Sequence, residues 1–500
     1  MGQLRKMGIK ITPLSMRAMF ILCLSALLYG SCGYGESNPN ADLLFTEGRM
    51  LQQKGRYREA LERFERLLTV YEKAGERQRM AGVLRRMAAV HQARANHGEA
   101  LRHYVRALRI ETDLGNRVGI ATTLNDLGEN SRLQGNYDKA VEYYRRSLSI
   151  EEKMGNLRGI ARTLNNIGTT YNAKSQYPDA LKYYNRSLKI AQEIGDRAIR
   201  AAALNNVGAL HEMQGNYSEA VEHFKRSLKI SEEIGDKALT ATTLNYIGAI
   251  HEVRGNFAEA LRNYNRSLEI SRQARNQVGI AMSLNEIALI YGNQGKHGEA
   301  LERLRESLKI ERELGNKAGI ASTLNNIGGI FSAQGNYEKA VSLYKQSLEI
   351  ARGLGDEDNV ASNLNNLGTV YKADGDYSRA LDYYNQSMEI GRRLGDKRLI
   401  ATVLNNIGEI YQDQANTGEA LNYYHRSLDL EREIGNLAGI AISLNSIGMV
   451  HGEQGDYQEA MRTLVQALKI AEEIGEESIR TAVSANIRYV RERLPKTRNE

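Results

Sequence analysis

Apolar and small residues recur along this chain at helical spacing. In Leu324, Ile327, Gly328 and Phe331 they return every third or fourth residue, which places them on one stripe of a helix. A second stripe follows in Ala340, Tyr344, Ser347, Leu348 and Ile350, with polar residues between. The pair of stripes then repeats: residues 41–480 divide into eleven blocks of forty without an insertion. Counting positions from the start of each block, position 4 is always Leu, from Leu44 to Leu444, and position 20 always Ala, from Ala60 to Ala460. Position 8 is Gly except at Ala88 and Ala288, so that one helix can approach another closely there.

The punctuation agrees with two helices per block. Gly335-Asn336 separates the helices of one block, and Gly315-Asn316 separates that block from its predecessor. Glycine suits the left-handed residue that ends a helix, and Asn or Asp caps the next N-terminus. Pro178 falls in the first turn of a second helix, where its missing N–H costs little. After the eleventh block, residues 481–494 begin like another first helix but place Arg488 and Arg491 on the stripe, which predicts a solvated capping helix; residues 495–500 form a polar tail.

The block as written at 324–350, LNNIGGIFSAQGNYEKAVSLYKQSLEI, resembles the tetratricopeptide repeat, in a forty-residue form similar to the repeats of kinesin light chain and Pins. The resemblance implies an all-α fold: a right-handed superhelical solenoid of antiparallel helix pairs, closed by the capping helix. It also implies a concave groove lined by first-helix residues opposite the core stripe, at positions 2, 6, 9 and 13. Position 6 reads Asp126, Asn166, Asn206, Tyr246, Glu286, Asn326, Asn366, Asn406 and Ser446. Carboxamides both donate and accept, so Asn166, Asn206, Asn326, Asn366 and Asn406, with Tyr246 among them, are candidates for holding an extended polypeptide, the alternative being that these Asn are solvated or bridge adjacent helices. Position 5 is Asn in nine consecutive blocks: Asn125, Asn165, Asn205, Asn245, Asn285, Asn325, Asn365, Asn405 and Asn445. These residues line the groove or brace one repeat against the next. Invariance along the array favours the junction, and variation at position 6 favours ligand reading.

Composition narrows the function classes. The formal charge of +7 includes Arg5, Lys6, Lys10 and Arg17, among the first 31 residues, which hold no acid, so the remainder is near neutral and predicts no nucleic-acid partner. A basic row on the second helices, from Arg66 and Arg106 to Arg266, reads as a solvated face paired with neighbouring Glu. His211-Glu212 and His251-Glu252 have Gly215 and Gly255 where a metal-binding helix would supply its second His, so they read as core or interface residues. No phosphate loop or nucleophile elbow is present. The expectation is therefore a non-enzymatic chain with no cofactor and no metal.

The N-terminus carries a different signal. A twelve-residue apolar run, 18–29, follows the basic stretch and ends in small residues, as an export signal does; it is short for a membrane span. Leu28-Tyr29-Gly30-Ser31-Cys32 resembles the lipobox of bacterial lipoproteins, with Tyr29 where that family usually has Leu. The resemblance implies acylation at Cys32 and membrane contact through the leader alone. The expected organisation is a leader at 1–32, a linker at 33–40, eleven units at 41–480, and the cap and tail. Cys23 and Cys32 are the chain's two cysteines, so the array holds no disulfide. The expected function is an exported, cell-envelope scaffold that binds a protein or peptide in its groove. The alternatives are a structural spacer acting through array edges or self-association, and a cytoplasmic adaptor.

Overall fold

The computed structural model describes residues 39–53 and 55–494. The expected leader, Cys32 and the tail 495–500 lie outside them. Within the described residues are twenty-three helices and no strand. They run α1 (Pro39–Gln53), α2 (Tyr57–Ala74), α3 (Arg77–Ala93), α4 (His97–Asp113), α5 (Arg117–Arg132), α6 (Tyr137–Met154), α7 (Leu157–Ala173), α8 (Tyr177–Glu193), α9 (Arg197–Met213), α10 (Tyr217–Glu233), α11 (Lys237–Val253) and α12 (Phe257–Gln273). The second half continues α13 (Gln277–Asn293), α14 (His297–Leu314), α15 (Lys317–Ala333), α16 (Tyr337–Leu354), α17 (Glu357–Ala373), α18 (Tyr377–Leu394), α19 (Lys397–Asp413), α20 (Thr417–Ile434), α21 (Leu437–Glu453), α22 (Tyr457–Ile474) and α23 (Glu477–Arg491).

Odd-numbered helices are the first and even-numbered helices the second of each unit, stacked as an all-α superhelical solenoid. Helix α1 already begins at Pro39, inside the expected linker. The terminal helix begins at Glu477, before Thr481, as every later first helix starts within the preceding forty-residue block. The cause is the cap. Asn316, for example, accepts a hydrogen bond from Gly319 N at 3.2 Å, which starts α15 four residues ahead of Ala321.

Position 8 has the packing role its size suggests. A Cβ on Gly128 would stand 2.6 Å from the ring of Tyr144, and one on Gly368 equally close to Tyr384. These rings, from position 24 of the second helix, are fully buried. Where turns lack glycine the backbone is still left-handed: Arg275 and Ala415 hold φ of 51° and 57°. The basic row is partly paired across units, with Arg106 to Glu72 and Arg266 to Glu232 each at 2.6 Å.

A feature absent from the repeat pattern is the contact between successive superhelical turns. The loop inside one unit meets the junctions that lie five and six units later. Leu437 N donates to Gln214 O at 3.0 Å, Tyr137 OH to Asp358 Oδ2 at 3.1 Å, Ser175 Oγ to Asp396 Oδ1 at 3.2 Å, and Tyr217 OH to Glu476 Oε2 at 3.3 Å. Around these bonds, apolar position-34 residues of the second turn pack on position-17 aromatics of the first: Leu314 with Tyr57, Leu394 with Tyr137, Ile434 with Tyr177 and Ile474 with Tyr217. Burial, then the carboxylates of Asp356 and Asp396, push Asp358 up to about 7 in this seam.

Candidate functional site

The first-helix face opposite the core is organised by the position-5 and position-6 carboxamides. Each position-6 Asn donates through Nδ2 to the position-5 Oδ1 of the preceding unit: Asn166 to Asn125 at 3.2 Å, Asn206 to Asn165 at 2.9 Å, Asn326 to Asn285 at 3.0 Å, Asn366 to Asn325 at 3.1 Å and Asn406 to Asn365 at 2.8 Å. Asn486 in α23 continues the series to Asn445 at 2.8 Å. The two positions therefore form a ladder between units.

Position 5 also reaches sideways. Asn285 Nδ2 lies 2.9 Å from Ala281 O, 2.6 Å from Ser307 Oγ in the second helix and 3.2 Å from Thr323 Oγ1 in the next unit. Asn125 repeats this with Ser147 at 2.5 Å and Thr163 at 2.8 Å, and Asn405 with Ser427 at 2.7 Å and Ser443 at 3.1 Å. The serine hydroxyl donates its own hydrogen bond to a first-helix carbonyl, as Ser307 does to Ala281 O at 3.1 Å. Of the two sequence readings of position 5, bracing accounts for this geometry. At position 6 the Nδ2 is committed as well, so what Asn166 or Asn206 has left for a ligand is its oxygen.

The ladder breaks where position 6 is not Asn. Tyr246, Glu286 and Ser446 follow Asn205, Asn245 and Asn405, and those three Asn carry buried Oδ1 atoms without a hydrogen-bond donor. Two breaks are adjacent, in the middle of the array. There Tyr246 is half-buried and stacks on Phe224 with centroids 4.9 Å apart. Glu286 is buried on the next unit. At about 100° per residue, position 12 shares this face, which adds Glu212 and Glu252. Glu252 accepts from Asn293 at 2.9 Å and from Tyr264 OH at 3.2 Å. Met213, Val253 and Ala249 supply apolar floor at positions 13 and 9. These acids were not among the sequence candidates, because position 12 was left out of the groove; their identical spacing, Glu212 to Glu252, was the available signal.

Four histidines pair on neighbouring helices, two by two. His211 stacks on His223 at 5.5 Å, and His91 on His103 at 5.3 Å, where Tyr171 and Tyr183 stack in another unit. Burial lowers the pKa of all four imidazoles, and in His91 and His223 the partner imidazole lowers it further. Among the described residues no group of three His, Cys, Asp or Glu side chains is arranged to hold a metal ion. None of the described helices is long and apolar enough to cross a membrane.

A sequence model described as tetratricopeptide repeat matches residues 79–153, 159–233, 239–313, 319–393 and 399–473, and a second of the same description matches 48–78. No curated protein matches the chain. Among solved structures, a Rap protein complexed with Competence and Sporulation Factor is similar over 71% of this chain and 99% of its own, at 13% identity and a TM-score of 0.52. Aspartyl phosphate phosphatase F from Bacillus subtilis is similar over 72% and 96%, at 13% identity and a TM-score of 0.47. BtubC (BKLC) from P. vanneervenii is similar over 43% and 90%, at 23% identity and a TM-score of 0.37.

Proposed function

Because the chain belongs to the tetratricopeptide repeat family, we propose that it is a non-catalytic scaffold whose inner face captures an extended segment of a partner protein. The observation that carries this reading is the double break in the carboxamide ladder at Tyr246 and Glu286. Elsewhere most inner-face carboxamides bond one another, although Asn366 and Asn405 also keep buried oxygens without donors. Here two carboxamide oxygens lack donors, beside an aromatic ring and the carboxylates of Glu212, Glu252 and Glu286. An extended segment brings a regular row of main-chain N–H groups, and rotation of the half-buried Asn245 side chain turns its oxygen to meet them. The acids add a preference for a segment carrying Lys or Arg. Asn166 and Asn206, half-buried, extend the track through their oxygens, whereas Asn326, Asn366 and Asn406 are buried and serve the ladder alone. A Rap protein of similar fold is complexed with Competence and Sporulation Factor, which supports a bound partner.

The test is crosslinked capture from native membranes, read by mass spectrometry, with wild type beside a Tyr246→Ala, Glu286→Gln double variant. Stacking of Tyr246 contributes about 0.5–1.5 kcal/mol, so the variant stays folded. A partner recovered at least about tenfold less with the variant, at similar melting temperature, is the expected result. Equal recovery by a folded variant moves the contact off the inner face.

The proposal includes export and a lipid tether at Cys32, in the cell envelope, supported by the basic-apolar-small order of residues 5–32. Cys32→Ser is expected to shift the protein from the membrane fraction to the soluble one. An unchanged distribution rejects lipid anchoring at Cys32.

A further inference from the structure

The two surfaces that meet between superhelical turns each occur twice in the chain, once mated and once open. On the junction side, Leu394 and Ile434 of the second turn are 6% and 5% exposed because the first turn lies against them. Their first-turn equivalents at position 34, Leu114 and Ile234, are 44% and 36% exposed. Val118 and Leu157, on the same junctions, are also exposed, whereas Leu437 at the position equivalent to Leu157 packs beside Tyr217. Most other position-34 side chains of the first turn are apolar as well, Met154 and Ile194 among them.

The loop side shows the converse. Tyr137, Tyr177 and Tyr217 are buried in the seam, while Tyr337, Tyr377 and Tyr457, at the same position of second-turn units, are half-exposed. A Cβ built on Gly55 or Gly135 meets a leucine of the next turn, and one on Gly335, Gly375 or Gly455 meets nothing within 4 Å. The array thus ends its first turn with uncovered apolar knobs and its second with uncovered aromatic sockets.

We propose that a second copy of this chain covers them: the first-turn junction rim of one molecule docks on the second-turn loop rim of another and continues the superhelix head to tail. The occupant follows from continuity, because the intramolecular seam already shows what Leu114 and Ile234 fit, namely the position-17 aromatic and the turn before it. Such an interface is heterologous. Each copy presents one knob rim and one socket rim, so association is open-ended rather than limited to a pair. It is independent of the inner face, which stays available along the lengthened coil.

The experiment is sedimentation velocity of the full chain in mild detergent over a range of protein concentrations. Three proteins are compared: wild type, a knob variant (Leu114→Glu, Ile234→Glu) and a socket variant (Tyr337→Glu, Tyr377→Glu). The knob residues are exposed, and the new glutamates of the socket variant lie in the first turns of α16 and α18, where a negative charge is favourable. Unchanged melting of each variant confirms its fold. Wild type is expected to grow past two copies as concentration rises. Each variant alone stays monomeric, its self-association at least about a hundredfold weaker. An equimolar mixture of the two variants forms a heterodimer and stops there, since one intact knob rim then meets one intact socket rim. Monomeric wild type at every concentration overturns the proposal. So does a symmetric dimer that survives both variants, or a mixture that remains monomeric.

Discussion

Replacing Asn285 by Ala is expected to cost about 2–4 kcal/mol of local stability, and replacing Asn245 by Ala less than about 1 kcal/mol, although both hold position 5 of successive units. Asn285 is fully buried. It donates toward Ser307 and Thr323 and accepts from Asn326, so its removal takes a buried partner from each of two neighbouring helices. Those partners cannot reach water, which makes the loss larger than the net worth of any one bond. Asn245 is half-buried, its oxygen has no donor, and Glu286 stands where Asn285 finds Asn326. Hydrogen exchange across α13 and α15, against α11, reads the difference directly, because an array of units opens locally. Equal losses at the two sites would remove the ladder from the account of stability and weaken the reading of the Tyr246 break as a functional departure from it.

The forty-residue period was sufficient to read the helices, their order and their core, because each unit's own apolar stripes and turns set these locally. The ladder was half legible. The invariance of position 5 pointed to the junction, but the partner of each position-6 Asn lies 41 residues earlier, and only the superhelical offset of neighbouring units aligns the two. The seam was not legible at all. Tyr137 and Tyr377 are the same residue in the same frame, and what separates buried from open is their place in the array, not their surroundings in sequence.

One correlation inside the repeat could have been found from the sequence. Glu at position 31 occurs together with Asn at 36 and Gly at 39, in Glu111, Asn116 and Gly119, in Glu151, Asn156 and Gly159, in Glu311, Asn316 and Gly319, and in Glu431, Asn436 and Gly439. Where position 31 is Ala191 or Ser231, positions 36 and 39 are Asp196 and Ile199, or Asp236 and Leu239. The structure gives the reason. A Cβ on Gly319 would fall on the Glu311 carboxyl, and Asn316 caps α15 through its oxygen while its Nδ2 donates to Glu311 Oε2 at 2.6 Å. An Asp in place of Asn316 could cap, but would set a carboxylate with no hydrogen to donate against the Glu311 carboxyl.

That buried carboxyl gives the array a definite pH dependence. Burial raises Glu311 to about 8, the Asn316 hydrogen bond only moderating the rise from an ordinary value of 4.5. The folded unit therefore holds a proton that the unfolded chain releases between these values. Stability from this group is fully present below about 4.5 and falls as pH climbs to about 8, beyond which nothing more is lost. The fall amounts to a few kcal/mol in order of magnitude. Glu311→Gln keeps the shape and removes the proton, so its stability curve should stay level over the interval where wild type declines, and the variant should be the more stable protein at pH 8. The paired histidines act with opposite sign: their folded pKa values are depressed, so their contribution is present above about 6.5 and is lost as pH falls through the folded values. Both proteins share those histidines, and the difference between their melting temperatures, followed from pH 5 to pH 9 in steps of about one unit, isolates Glu311. A difference that does not change with pH would mean the carboxyl is ionised in the fold, and that Asn316 rather than burial decides its charge.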